Sequence, residues 1–301
     1  MTQQSVVVLM GGWSAERDVS LSSGRGIEKS LKDMGYAVRG VDVTEDTDAL
    51  LQSLTPKPDV VFNALHGTGG EDGVIQGFLD VLKIPYTHSG VASSALAMDK
   101  VLSRRIFENI GLATPAWKVV SRKTLKEDPP FEKPFVLKPL KNGSSHGVHI
   151  VTDELPPNIL SDDWPFGDDV LVEAYLPGRE IQVAIMGDKA LGAIEIRPKT
   201  GFYDYKAKYT EGFAEHFMPA PIEEEDYTSV LSMALRTHRA LGCKDISRVD
   251  FILHGGVFHI LELNTHPGMT PLSLVPEIAA HAGISFPHIL RYLIDNAAYR
   301  T

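Results

Sequence analysis

Cysteine is nearly absent: Cys243 is the only one in 301 residues, which rules out an intrachain disulfide and makes a reducing, cytoplasmic setting the simplest expectation. No apolar run approaches the ~20 residues that a membrane-spanning helix requires. The early stretch V-V-V-L-M has no basic flank and stops at Gly11-Gly12, so it reads as a strand and turn, not a secretory signal. Basic residues are in deficit, 29 Lys and Arg against 39 Asp and Glu, for a net charge of −10. With a pI near 5.5, nucleic acid is not expected as the main partner. Internal repeats and low-complexity tracts are also absent. The chain is nevertheless longer than one hydrophobic core usually serves, so two or three domains are expected.

What is present centres on residues 248–270, R-V-D-F-I-L-H-G-G-V-F-H-I-L-E-L-N-T-H-P-G-M-T. Two apolar strands, 249–253 and 257–263, flank a turn at Gly255-Gly256. Arg248, Asp250, Glu262 and Asn264 interrupt them, and buried charge demands a partner. A two-residue turn would place Asp250 opposite Leu261 and leave the two carboxylates on opposite faces. We therefore expect a three-residue loop, His254 to Gly256, pairing Asp250 with Ile260 and Arg248 with Glu262. One face then offers two carboxylates and an amide oxygen, a set suited to Mg2+ that keeps water and phosphate among its ligands. A buried ion-pair cluster built on Arg248 is the alternative.

Residues 1–96 alternate strands (6–10, 37–43, 59–63) with helices (20–34, 46–54), the rhythm of an open parallel sheet whose ligands sit beyond the strands' carboxyl ends. Two loops lie at those ends, 11–17 and 65–73. The first lacks the G-x-G-x-x-G spacing and places Glu16 where a phosphate would approach, which favours a cationic ligand group such as an ammonium. Glu16 as a helix-start acid and His66 as a turn histidine are the plainer readings. In 97–179, strands at 116–120, 135–138, 149–151 and 170–173 suggest a small α+β unit, with 122–133 and 155–167 as surface connections. Lys138 ends an apolar strand before K-N-G-S-S-H-G at 141–147, whose free amides suit phosphate oxygens; because the lysine precedes the glycines, this is not a Walker sequence. A surface hairpin is its alternative. Residues 180–301 hold two further strands, a helix near 224–241, the carboxylate hairpin and closing helices. The loop 200–212, with two lysines and three tyrosines in F-Y-D-Y-K-A-K-Y, reads as an active-site lid or else as an ordinary surface loop.

Taken together, G-G-W-S-A-E-R-D-V-S-L-S-S-G at 11–24, A-L-H-G-T-G-G-E-D-G at 64–73, M-D-K at 98–100, K-P-L-K-N-G-S-S at 138–145, F-Y-D-Y-K-A-K-Y at 202–209 and E-L-N-T-H-P-G-M-T at 262–270 resemble the D-alanine:D-alanine ligases. These are bacterial ATP-grasp enzymes of peptidoglycan precursor synthesis. The resemblance implies a mixed α/β and α+β fold of three domains, 1–96, 97–179 and 180–301, with ATP between the sheets of the last two. By position it assigns Lys100, Lys138 and Lys208 to phosphates together with Ser144 and Ser145, Glu173 and Leu176 to adenine, and Glu180 to ribose. Asp250, Glu262 and Asn264 would hold two Mg2+ ions, with Mn2+ as a substitute and a monovalent cation as a further activator. One D-alanine carboxylate would attack the γ-phosphate, and the amine of a second would then attack the acyl phosphate. Glu16 and His66 would bind substrate, Arg248 and the Gly268 N–H the oxyanion, and Ser273 with the Leu274 N–H the second carboxylate. Glu16, Ser144 and Tyr209 would link domain, loop and lid, and Tyr209 places the chain with peptide-forming members. A homodimer is expected; nucleic acid and membrane are not. Departures from the family pattern are His146, Ala174 and His266. Another D-amino-acid or D-hydroxy-acid ligase of the same fold is the alternative, and a non-catalytic ATP-binding regulator would be expected to have lost a metal ligand or lysine.

Overall fold

Three sheets organise the chain in a computed structural model that describes residues 3–143, 146–199, 213–270 and 273–300. The first is parallel, in the order β2-β1-β3, from β1 (Ser5–Gly11), β2 (Ala37–Val43) and β3 (Val60–Asn63). Its helices are α1 (Arg17–Asp33), α2 (Thr47–Ser53) and α3 (Val74–Leu82). The uniformly apolar β1 is explained by burial on both faces. Val6, Val8 and Met10 pack with Ile27 and Leu31 of α1, whereas Val7 and Leu9 meet Leu79 of α3.

Helices α4 (Val91–Met98) and α5 (Lys100–Asn109) lead to the second sheet, antiparallel in the order β4-β7-β5-β6. Its strands are β4 (Trp117–Ser121), β5 (Phe135–Pro139), β6 (His149–Val151) and β7 (Asp169–Ala174). The expectation that 122–133 and 155–167 are only surface connections is corrected here. They contain helix α6 (Arg122–Glu127) and a 3-10 turn (Pro157–Leu160), and they bury Leu125, Ile159 and Trp164 against Phe135, Leu137, Val170 and Val172. Their acids and prolines mark the outer side, while a few apolar residues complete a small core.

The third sheet, in the order β10-β9-β8-β11-β12, comprises β8 (Arg179–Met186), β9 (Lys189–Pro198), β10 (Ala214–Phe217), β11 (Ile246–His254) and β12 (Val257–Asn264). Helix α7 (Glu224–Ala240) covers one face, where Val230 and Ala234 join Val183, Val249 and Phe107 of α5. Helices α8 (Leu274–His281) and α9 (Phe286–Asp295) cover the other, and that core runs on into Val8 and Phe62 of the first sheet. Shared burial thus joins the first and third units, while the second sheet keeps a core of its own.

The hairpin β11–β12 departs from its expected register. His254 pairs with Val257, so the turn has two residues, Gly255 and Gly256, at φ 55° and 79°. Positive φ at both central positions is the geometry whose twist matches the flanking strands, and glycine adopts it without strain. The register then shifts between Asp250 and Phe251: Phe251 pairs with Ile260 but Asp250 with Glu262, leaving Leu261 as the extra residue of a bulge. Arg248 pairs with Asn264, not with Glu262. The single face carrying Arg248, Asp250, Glu262 and Asn264 is therefore formed, but the bulge forms it, not a three-residue loop.

Candidate active site

The first-sheet loops converge on Glu16. It occupies the N-cap position of α1 but makes no side-chain cap hydrogen bond, so it does not satisfy the helix's first backbone amides as the plainer reading would have it. Ser14 Oγ donates to His66 O at 2.6 Å and accepts from Glu16 N at 3.1 Å, tying the two loops together. His66 is buried with its Nδ1 2.9 Å from Glu71 Oε1. Burial pulls the imidazole pKa down, but the hydrogen bond and charge of Glu71, with the charge of Glu16, outweigh it and raise the value. From the second unit, Gly143 comes so close that an added Cβ would lie 2.8 Å from Glu16 Oε1.

A cavity of about 380 Å³ lies between the second and third sheets, within the range of small-molecule sites. Lys138, Glu173, Leu176 and Glu180 line it, as expected, among apolar groups that include Val136, Ile150 and Ile252. Lys138 Nζ is 2.8 Å from Glu173 Oε2, and the other oxygen of this buried carboxylate pairs with Arg104. Lys100 Nζ donates to Asn142 O. At the far wall, Glu195 is gripped by Arg179 and Arg197; burial opposes its ionisation, but the two guanidinium groups win and bring it down to about 2.

A second cavity holds Glu16, His66, Arg248 and Gly268, and it meets the first at Lys100, Asn142 and Glu262, which line both. Arg248 donates from Nε and Nη2 to the two oxygens of Asp250, at 2.7 and 2.8 Å. The ion pair of the alternative reading is thus present, and it coexists with the donor set of Asp250, Glu262 and Asn264. Asn264 Oδ1 accepts from His266 N at 2.7 Å, which fixes the amide's orientation. No group of three His, Cys, Asp or Glu side chains gathers as a metal site among the described residues. Two carboxylates with an amide oxygen where the two cavities meet instead suit Mg2+, which takes few protein ligands. Gly268 is pressed against Ser273, whose Oγ would lie 2.9 Å from an added Cβ and which accepts from Thr270 N at 3.0 Å. Ser273 and Leu274 begin α8 beside this turn.

Ser144, Ser145, Lys208 and Tyr209, with the whole 200–212 segment, lie outside the described residues. Of the three departures, Ala174 lines the 380 Å³ cavity, and His266 is buried with its ring 3.9 Å from that of His88. His146 donates its backbone N–H to Gly143 O at 3.1 Å, within the loop that reaches Glu16. Sequence reasoning passed over Glu71 and Arg104. Both had a signal: Glu71 follows His66 in one loop, and Arg104 lies one helical turn beyond Lys100.

Two antiparallel sheets closing on a cavity with lysines and paired acids at its mouth define an ATP-grasp enzyme, and the comparisons carry the assignment further. Family profiles described as the D-ala D-ala ligase N-terminus and C-terminus match residues 47–89 and 106–295. The chain belongs to the D-alanine–D-alanine ligase family. It is similar to the D-alanine–D-alanine ligase of Paramagnetospirillum magneticum, at 49% identity over 97% of this chain and 98% of that one. The Rhodospirillum rubrum ligase is 48% identical, with 97% of each chain covered. Among solved structures, the Bacillus anthracis D-alanine–D-alanine ligase complexed with ATP superposes with a TM-score of 0.82 at 32% identity, covering 98% of this chain and 97% of that one. The D-Ala:D-Ser ligase VanG of Enterococcus faecalis gives 0.81 at 27% identity, covering 98% and 99%. No helix among the described residues is long and apolar enough to cross a membrane.

Proposed function

We propose that this chain uses ATP to join two D-alanines into D-alanyl-D-alanine, through a D-alanyl phosphate, for peptidoglycan precursor synthesis. The observation that carries this reading is the meeting of two cavities at Lys100 and Glu262, one lined as a nucleotide site and the other by Glu16, His66, Arg248 and Gly268. ATP lies in the first, its phosphates neutralised by Lys100 and Lys138, with Glu173 and Leu176 toward the base and Glu180 toward the ribose. Asp250, Glu262 and Asn264 are the residues to hold two Mg2+ ions, or Mn2+ in their place, which would supply neutralisation of the phosphate charge during transfer.

In the second cavity Glu16 attracts the substrate ammonium, and paired His66 donates toward the first carboxylate. Arg248 and the Gly268 N–H stabilise the oxyanion formed when the second amine attacks. Ser273 and the Leu274 N–H receive the second carboxylate. By position Ser144, Ser145 and Lys208 join the phosphate contacts and Tyr209 favours an amine over a hydroxyl acceptor; all four lie outside the described residues. The protein acts in the cytosol as a homodimer, with a monovalent cation as an activator. The test is phosphate release from ATP and Mg2+ with and without D-alanine, the product read by mass spectrometry. D-alanine-dependent release yielding the dipeptide is expected, also when D-lactate competes; release indifferent to D-alanine, or an ester as the main product, would overturn the reading.

A further inference from the structure

Arg104 has no exposed surface and no part in the scheme above. It stands on α5 one turn beyond Lys100, so the two side chains leave one helix face, with Lys100 at the junction of the cavities and Arg104 behind it. Its Nη1 donates to the carbonyl of Leu261 at 2.9 Å, and its Nη2 pairs with Glu173 Oε1. These two partners belong to different sheets. Leu261 is the bulge residue of β12, and without that bulge Glu262 would turn away from the face that carries Asp250. Glu173 is the carboxylate whose second oxygen holds Lys138.

The ion stays charged where it sits. Burial lowers its pKa to about 10, with the charges of Glu262 and Glu108 opposing that fall, and the guanidinium is therefore protonated at neutral pH. A buried charge of this kind is retained only where its partners are fixed around it, and a planar fork can serve two acceptors that a single point donor cannot. We propose that Arg104 is a positioning residue that holds the Leu261 bulge with one arm and the Glu173–Lys138 pair with the other, keeping the metal-ligating hairpin and the nucleotide strand at a set separation. This rests on the reading of Asp250, Glu262 and Asn264 as Mg2+ ligands.

Steady-state kinetics as a function of Mg2+ and ATP test the proposal. In Arg104→Met the half-saturating Mg2+ concentration should rise about tenfold, the scale on which groups that orient metal ligands act. The KM for ATP should rise with it, while the KM for D-alanine stays within about twofold, because Arg104 does not reach that cavity. Arg104→Lys, which keeps charge and stem, should recover part of the loss. A folded Arg104→Met protein with an unchanged Mg2+ requirement would overturn the proposal. If Arg104→Met fails to fold because Glu173 Oε1 is left buried without its guanidinium, Arg104→Met/Glu173→Gln is compared with Glu173→Gln alone. A further rise in the Mg2+ requirement supports the proposal, and identical curves refute it. Glu262→Gln is assayed in parallel: wild-type turnover there would remove the metal reading itself, whereas an inactive Glu262→Gln beside a normal Arg104→Met removes only the role of Arg104.

Discussion

His88 links stability to pH in a way that one substitution isolates. Its backbone sits at φ 72°, a left-handed conformation that asparagine tolerates better than most residues, so His88→Asn removes the ring with little backbone strain. The ring is buried against His266, and its Nδ1 lies 3.0 Å from Thr87 Oγ1. Burial above all, then the charges of His66 and Arg300, hold the imidazole down to about 3, against 6.5 when exposed. The unfolded chain therefore takes up a proton that the folded one refuses. Stability from this group is intact above pH 6.5, falls as the pH drops below it, and levels only near pH 3. At ~1.4 kcal/mol per pH unit, acidification from pH 7 to pH 5 destabilises the folded state by about 2 kcal/mol through this ring alone. Urea unfolding at the two pH values reads the difference. His88→Asn should be less stable at pH 7, having lost the ring packed against His266, yet lose about 2 kcal/mol less than the parent on acidification. Equal losses in the two proteins would refute the argument.

Two further outcomes follow from the site. Glu71→Gln weakens a hydrogen bond to a charged group, worth about 1.5–3 kcal/mol, so kcat/KM for D-alanine should fall about 10- to 100-fold. NMR titration should also show the His66 pKa, now raised chiefly against burial by Glu71, moving down; the stability that the pair contributes below pH 6.5, and loses as pH rises through the raised value, should disappear with it. Gly143→Ala places a methyl 2.8 Å from Glu16 Oε1, and the displaced carboxylate should raise the KM for D-alanine about tenfold, measured by steady-state kinetics at saturating ATP.

The outcome for the acid-bearing hairpin shows what kind of information sequence holds. Arg248 and Asp250 on one apolar strand and Glu262 and Asn264 on the next, separated by Gly255-Gly256, were enough to predict a shared face and a metal-type donor set, because a buried carboxylate must find a partner. The strands β2 and β6 and the parallel first sheet were legible for a related reason: apolar period and glycine punctuation report local burial directly. Lys138 was legible as a lysine ending an apolar strand, whereas Glu173, Leu176 and Glu180 came from the resemblance, and all four meet at one cavity. The register did not follow from local pattern. A two-residue turn with a bulge and a three-residue loop place the same four side chains alike, and only the pairing of Phe251 with Ile260 and Asp250 with Glu262 separates them. Likewise 122–133 and 155–167 read as surface because their acids and prolines outnumber the few residues that fill the small core, whose other wall lies elsewhere in the chain. The sequence by itself determined the family, the parallel first unit, most strands of the other two sheets and the residue types offered to the candidate site, since these depend on residue type and short spacing. Tertiary structure decided which groups share a cavity and that Arg104 joins two sheets through Leu261 and Glu173, because those contacts span 157 and 69 positions and are set by packing.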